Sequence, residues 1–353
     1  MQKTISVCIV VKDGKNKIID CLSSITHFAD EIVIIDTGSI DGTPELINSW
    51  NNKKQYSNDV ILECVGNKFH DSEGNFDFGS AKNYSISKAT KDFVMWMDVN
   101  DILQNQIEVK KAFIKMSSKY EHVGIILRTK TSDVNTFPRL RIGPRKYVNF
   151  IGNIHEYMVN TAPDSVIIST KFEFKNYKKG RDVNRNIKSL LKTWNETHTS
   201  RVAFYLGNSY RDLHDYENAE DWYNILLYEF SNEKSEELYK ARECLCEIYL
   251  TNKDYNKLGN ISLDMISICP NRPEGYFYRY KSNFELKNYS LALKCLQKMA
   301  SLQKPIRTRL WINNKIFNRK YINKLLIEVE NYSKYSNMEP LKPEYINNYN
   351  NLV

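Results

Sequence analysis

Glycine and proline are scarce, at 13 and 9 in 353 residues. A chain this poor in both is neither collagen-like nor dominated by linkers. The seven cysteines (Cys8, Cys21, Cys64, Cys244, Cys246, Cys269, Cys295) are an odd number and show no metal-knuckle spacing. Cys244 and Cys246 stand two apart in a helical pattern and so point in different directions. Reduced thiols are therefore expected, and with them a cytoplasmic protein. No apolar run approaches the ~18 residues of a membrane span, so no span is expected. The opening MQKTISVCIVVKDGKN has too short an apolar run for a signal-peptide core, and the run ends in charge. Nor is one sign of charge concentrated. Against 42 Asp and Glu stand 50 Lys and Arg, a net charge of +8. That excess suits phosphate-bearing or acidic ligands, but a nucleic-acid partner would want a denser basic stripe and is not expected. The densest local excess, KFEFKNYKKGRDVNRNIKSLLK (171–192), reads as a solvated junction between domains.

The chain is long enough for two domains, and two periodicities are present. In the first ~110 residues, apolar β-rich runs alternate with helical patterns. ISVCIVV (5–11), EIVIID (31–36), VILECV (60–65) and DFVMWMD (92–98) read as strands. IIDCLSSITHFA (18–29) and GSAKNYSISKAT (79–90) read as helices, and Pro44 opens another in its first turn. Strands this apolar are covered on both faces, as in a parallel sheet with crossover helices. Such sheets meet their ligands at the carboxyl ends of the strands, here at Asp36 and Asp98. From about residue 181 the strand-like runs cease. AFYLGNSYRDLHDYENAEDWY carries Leu206, Gly207, Tyr210, Ala219 and Tyr223 at tetratricopeptide spacing. Equivalent positions recur at 246 and 280, intervals close to the ~34-residue period of that repeat. The expected division is 1–180 and 181–353, an α/β domain followed by an all-α tetratricopeptide-like domain.

FVMWMDVNDIL (93–103) runs a strand into Asp98, Asn100 and Asp101. Asp98 and Asn100, two apart in extended chain, face the same side. Oxygen donors there suit a hard cation such as Mg2+ or Mn2+, which also ligates a diphosphate. Asp and Asn at a strand end equally suit a plain turn.

VCIVVKDGKNKIIDCLSSI, DEIVIIDTGSIDGT, FDFGSAKNYSISKATKDFVMWMDVND and FPRLRIGPRKYVNFIGNIHEYM, in that order, resemble glycosyltransferase family 2. The branch is the one in which tetratricopeptide-like helices follow the catalytic domain, and it looks most like the sublancin-type peptide S-glycosyltransferases of bacteriocin biosynthesis. The resemblance implies a GT-A domain, Rossmann-like with a mostly parallel sheet. In it Asp36 and Thr37 would contact the nucleotide base, and Val10, Val11 and Lys12 would frame the nucleotide. Lys82 and Asn83 would lie near the diphosphate and sugar, with Arg139 and Arg141 as a basic pair. Asp98, Asn100 and His155 would be metal ligands. Asp101 and Glu156 are the candidate bases. Two departures stand out: Asn100 replaces the second acid of D-x-D, and Lys82 replaces an arginine with its bidentate phosphate geometry.

The implied function is metal-dependent, inverting transfer of a hexose or N-acetylhexosamine from a UDP-sugar. The acceptor would be a Ser, Thr or Cys side chain of a peptide or protein, with a glycan or lipid-linked acceptor as the alternative. A non-catalytic repeat scaffold is the alternative of another class. KFHDSEGNFDFG (68–79) is expected as a flexible loop beside the sugar. The helical half is expected to bind the acceptor through exposed members of Tyr205, Tyr210, Tyr216, Trp222, Tyr223, Tyr276, Tyr278 and Tyr280, or else to form a homodimer.

Overall fold

The structure, a computed structural model, describes residues 2–53, 56–130, 136–176, 182–233, 235–302, 316 and 318–335. The expected boundary at 180/181, part of the basic junction, and the chain beyond 335 lie outside the described residues. The chain divides into two compact units, Met1–Thr193 and Trp194–Val353.

The first unit is built on an eight-stranded sheet. β1 (Ile5–Val11), β2 (Glu31–Asp36), β3 (Asp59–Cys64) and β4 (Phe93–Asp98) follow the four apolar runs of the sequence. They lie parallel in the order β3-β2-β1-β4. The sheet then continues through strands that the apolar pattern does not announce. β7 (Thr136–Pro144) runs antiparallel to both β4 and β6 (Val123–Lys130). β10 (Val166–Asn176) is parallel to β6, and β5 (Asp101–Leu103) closes the edge antiparallel to β10. β8 (Val148–Ile151) and β9 (Tyr157–Asn160) form a separate hairpin.

Alternation sends each central strand's side chains into two cores. On one face Ile5, Val7, Ile9 and Val11 pack with Ile18, Leu22, Phe28 and Phe113. The last of these comes from α4 (Gln106–Lys119). On the other face Cys8, Val33, Ile35, Val94 and Trp96 meet Ile86 and Ala89 together with Val148, Phe150 and Met158 of the hairpin. Ile86 belongs to α3 (Phe78–Lys88), whose N-cap Asp77 accepts from the Ser80 N–H. α2 (Thr43–Asn52) carries Pro44 in its first turn, as the sequence indicates.

The helix expected over 18–29 is shorter. α1 spans Ile18–Ser23. Past it, the Ser24 and Thr26 hydroxyls bond back to the carbonyls of Cys21 and Ser23 at 2.7 and 3.2 Å. Such local bonds compete with helix propagation.

The second unit is helical. α6 (Ser200–Asp212) and α7 (Tyr216–Glu229), α8 (Glu236–Thr251) and α9 (Tyr255–Ile268), and α10 (Pro273–Glu285) and α11 (Tyr289–Ser301) make three helix pairs, followed by α12 (Arg319–Tyr335). Each pair turns in the same way. His214, Lys253 and Lys287 take left-handed φ values of 60°, 59° and 62°. The next residue's N–H, from Asp215, Asp254 and Asn288, reaches the carbonyls of Tyr210, Tyr249 and Asn283 at 3.0, 2.9 and 2.7 Å. This is a Schellman closure of the first helix. Asp215 and Asp254 then cap the second helix of their pairs. Small residues admit the aromatics: a Cβ on Gly207 would lie 2.6 Å from the Tyr223 ring. Tyr276, Tyr278 and Tyr280 are only 1%, 5% and 1% exposed, so Tyr278 is a core residue and offers no surface contact. Tyr205, Tyr210, Tyr216 and Trp222 are half-buried.

Candidate functional site

Strand register brings the two acids together. Val11 pairs with Asp36 across β1–β2, and Val10 pairs with Asp98 across β1–β4. Both acids thus flank the carboxyl end of β1.

Asp36 is 2% exposed. Its Oδ1 accepts from the backbone N–H groups of Gly38 and Ser39 at 3.0 and 2.9 Å. Its Oδ2 is buried with no hydrogen-bond partner. A buried, unsatisfied carboxylate oxygen is costly, and it is suited to accept an N–H from a ligand. Thr37 is bound back to the Val11 carbonyl through its N–H and its hydroxyl, at 2.9 and 3.1 Å. Val10 is half-buried, Val11 buried and Lys12 exposed. The loops after β1 and β2 are stitched together. The Asp13 N–H donates to Ser39 Oγ, and the Ile40 N–H to Asp13 Oδ1, at 2.8 and 2.9 Å.

At the end of β4, Lys82 of α3 lies between two carboxylates. Its Nζ is 3.1 Å from Asp98 Oδ1 and 2.7 Å from Glu156 Oε1. The lysine side chain is enclosed at 7% exposure, while Asp98 keeps 39% of its side chain in solvent and Glu156 13%. The ammonium also stands 4.0 Å from the centre of the Trp96 ring. Burial on its own would lower the lysine pKa, but Asp98 and Glu156 outweigh it and raise the pKa above its ordinary value. Burial likewise pushes Asp98 up, and Lys82, then Arg141 and Arg139, more than reverse it, so the carboxyl is held well below the usual range.

Asp101 and Arg141 are fully enclosed, each side chain at 0% exposure. Asp101 Oδ2 accepts from Arg141 Nη1 at 2.9 Å and from the Asp98 N–H at 3.1 Å. Its Oδ1 accepts from Asn176 Nδ2 at 2.6 Å. Arg141 also donates to Thr129 Oγ1 at 2.9 Å and lies over Trp96 at 3.8 Å. The pair ties β5, β6, β7 and β10 to the end of β4. Arg139 is exposed. Its guanidinium lies 5.9 Å from the same ring centre.

Asn83 is engaged with backbone. Its Nδ2 donates to the Phe150 carbonyl at 3.0 Å, and its Oδ1 accepts the Phe150 N–H at 2.7 Å. It fastens α3 to β8. The helix start comes so close to the hairpin that a Cβ on Gly79 would meet the Gly152 carbonyl at 2.3 Å. His155, at φ 52°, precedes Glu156 in the following turn. The 68–79 loop is folded on itself. Asp71 accepts from the Glu73 and Asn75 N–H groups at 2.9 and 2.8 Å and pairs with Lys192 at 2.7 Å.

Two further residues complete this edge. Lys17, at the N-cap of α1, donates from Nζ to Asn100 Oδ1. Trp96 supplies the ring beneath the cations, and its position two before Asp98 on one strand is the clue that was available.

These contacts decide how well the edge fits a divalent ion. Asp98 and Glu156 share one ammonium, and the Asn100 oxygen accepts from another. Among the described residues, no group of three or more His, Cys, Asp and Glu is arranged to hold a metal. The set does not fit a resident ion.

The model of "Glycosyl transferase family 2" matches residues 6–171. A TPR repeat-containing protein of Synechococcus elongatus is 29% identical over 99 residues, 28% of this chain and 21% of that protein. The match thus spans about a fifth of the curated relative's length. Among solved structures, S. aureus TarS 1-349 in complex with UDP is 12% identical at a TM-score of 0.39, covering 87% of this chain and 95% of that one. The TarS complex with UDP-GlcNAc gives 11% and 0.38, with the same coverage. MamA from Desulfovibrio magneticus RS-1 is 12% identical at a TM-score of 0.31, covering 44% and 88%. Residues 6–171 thus carry a glycosyl transferase family 2 domain, and tetratricopeptide-like helices follow it.

Proposed function

We propose that this chain transfers a hexose or N-acetylhexosamine from a UDP-sugar to a Ser, Thr or Cys side chain of a peptide or protein, such as a bacteriocin precursor, with inversion at the anomeric carbon. The observation that carries the reading is the Lys82 ammonium, held between Asp98 and Glu156 at the carboxyl ends of the parallel strands of a family 2 domain.

In this proposal the orphaned Asp36 Oδ2 accepts the N–H of the uracil base. Thr37 and the Val10–Lys12 backbone frame the nucleotide. Lys82 and the exposed Arg139 face the diphosphate, where negative charge grows as the bond to the anomeric carbon breaks. The acceptor oxygen or sulfur attacks that carbon, UDP departs with the bonding pair, and the acceptor proton passes to Glu156. Asp101 and Arg141, enclosed with each other, serve as positioning residues that hold the Asp98 backbone. Asn83 positions α3 against β8. Were the Mg2+ or Mn2+ that the resemblance implies to arrive with the donor, Asp98, Asn100 and His155 are the residues that would hold it, and it would supply positive charge to the leaving group.

The acceptor reading rests on the helical unit, since stacked helix pairs commonly offer a concave surface to an extended peptide. The test is intact-mass analysis of candidate peptides co-expressed with the protein. A hexose or N-acetylhexosamine increment that vanishes with Lys82→Met supports the proposal. Unmodified peptides, together with modification of a glycan or lipid-linked acceptor, would reject the peptide assignment.

A further inference from the structure

Position 100, where the family pattern has an acid, is an amide, and its oxygen accepts from the Lys17 ammonium. Lys17 is fixed there by backbone. Its N–H and that of Ile18 both donate to the Gly14 carbonyl at 2.9 Å. Gly14 itself is pressed against the end of β1 and the turn after β4: a Cβ on it would lie 2.6 Å from Val11 and 3.0 Å from Val99. The loop between β1 and α1 therefore runs against Val99, which brings the half-buried Lys17 within reach of Asn100. α1 is also tied to this edge through Cys21, whose Sγ lies 3.7 Å from the Asp98 carbonyl oxygen.

The charges at this edge follow from those contacts. Asp98 and Glu156 are answered by Lys82. The amide at position 100 lets Lys17 stay oriented without being neutralised. Were residue 100 a carboxylate, the same contact would be an ion pair, and the lysine charge would be consumed within the protein. An ammonium bonded to the Asn100 oxygen also opposes a divalent ion at that oxygen, because both are cations seeking one lone-pair site. The Asn100–Lys17 combination thus keeps a positive charge at the strand end by a route other than a metal.

We propose that Lys17 is a donor-binding cation which, oriented by Asn100, supplies at this edge the positive charge that an acid-bound divalent ion would supply, so that nucleoside diphosphate binding does not depend on added metal. The proposal rests on the reading of this edge as the donor site.

The experiment is calorimetric titration of the full-length protein with UDP, in EDTA and in Mn2+, with thermal unfolding as a check on folding. Wild-type protein should bind UDP in EDTA, with Kd changed less than about threefold by Mn2+, an effect well under 1 kcal/mol. Lys17→Met should weaken binding in EDTA by about tenfold or more, as expected for loss of a charge-assisted phosphate contact, while melting as wild type does. Lys17→Arg should restore most of that loss. The double variant Lys17→Met with Asn100→Asp should regain affinity in Mn2+ but not in EDTA. Lys17→Met binding UDP in EDTA as tightly as wild type would overturn the role of Lys17 and leave the donor site standing. Wild-type protein that needs Mn2+ for measurable binding would overturn it equally. Wild-type protein binding no UDP under either condition would reject the donor-site reading and this proposal with it.

Discussion

Lys82 reaches from a helix to Asp98 at the end of the adjacent strand, 3.1 Å from Nζ to Oδ1, and holds Glu156 by the same ammonium at 2.7 Å. One enclosed cation thus organises two carboxylates from distant parts of the chain. In the proposed reaction this ammonium faces the leaving diphosphate, with Asp98 and Glu156 holding it in place.

The linked pKa shifts set a pH signature. Asp98 is depressed, so its pairing adds stability that is present above the ordinary carboxylate range of about 4 and is lost as pH falls through the lower folded value. Lys82 is raised, so its share is present below its ordinary 10.5 and is lost as pH rises through the higher folded value. Lys82→Met should therefore melt below wild type at pH 7, and the gap should narrow in strong acid. A gap that widens as pH falls from 5 to about 2 would contradict the assignment.

Arg141 and Asp101 form a fully enclosed ion pair. Removing one partner leaves a buried charge unanswered, so Arg141→Met and Asp101→Ala should each cost about 3–5 kcal/mol in urea unfolding followed by tryptophan fluorescence. Replacing both together should cost less than the two added. Single losses below about 1 kcal/mol would mean that solvent reaches the pair.

The repeated helix turns can be tested at single residues. Lys253 sits at φ 59°, a conformation that glycine adopts without a Cβ penalty. Lys253→Gly should slow hydrogen exchange at the α8–α9 turn, a stabilisation of up to about 1 kcal/mol. Gly207→Ala should do the reverse for α6 and α7 by about 1–3 kcal/mol, because the new methyl would meet the Tyr223 ring. Equal exchange in both variants would refute the packing described.

The central strands were legible because a strand covered on both faces must be apolar throughout, and β1 and β2 coincide with their runs. The strands after residue 120 carry no such signature, since a half-exposed strand such as β10 mixes polar with apolar residues. Asp36, Lys82 and Asp98 were visible through their places at strand ends and in motifs. Lys17 was not, because its contact with Asn100 spans 83 residues and leaves no periodic trace. Asn83 was expected near the diphosphate and sugar, yet its amide is taken by the Phe150 backbone, a pairing that depends on where the hairpin folds. Tyr278 stood among the aromatics expected to include surface contacts, because helical phase alone does not say which helices cover a residue. The α8–α9 packing encloses it.

The central claim is that the edge at Lys82 and Asp98 handles a sugar nucleotide. The most direct measurement is UDP release from UDP-glucose and UDP-N-acetylglucosamine, comparing wild type with Lys82→Met after both are found folded. The account predicts slow release by wild type from one of these donors, falling roughly 100-fold or more in Lys82→Met, the scale for losing a preorganised charge at a developing anion. Equal release by the two proteins, or none from either donor by wild type, would contradict it.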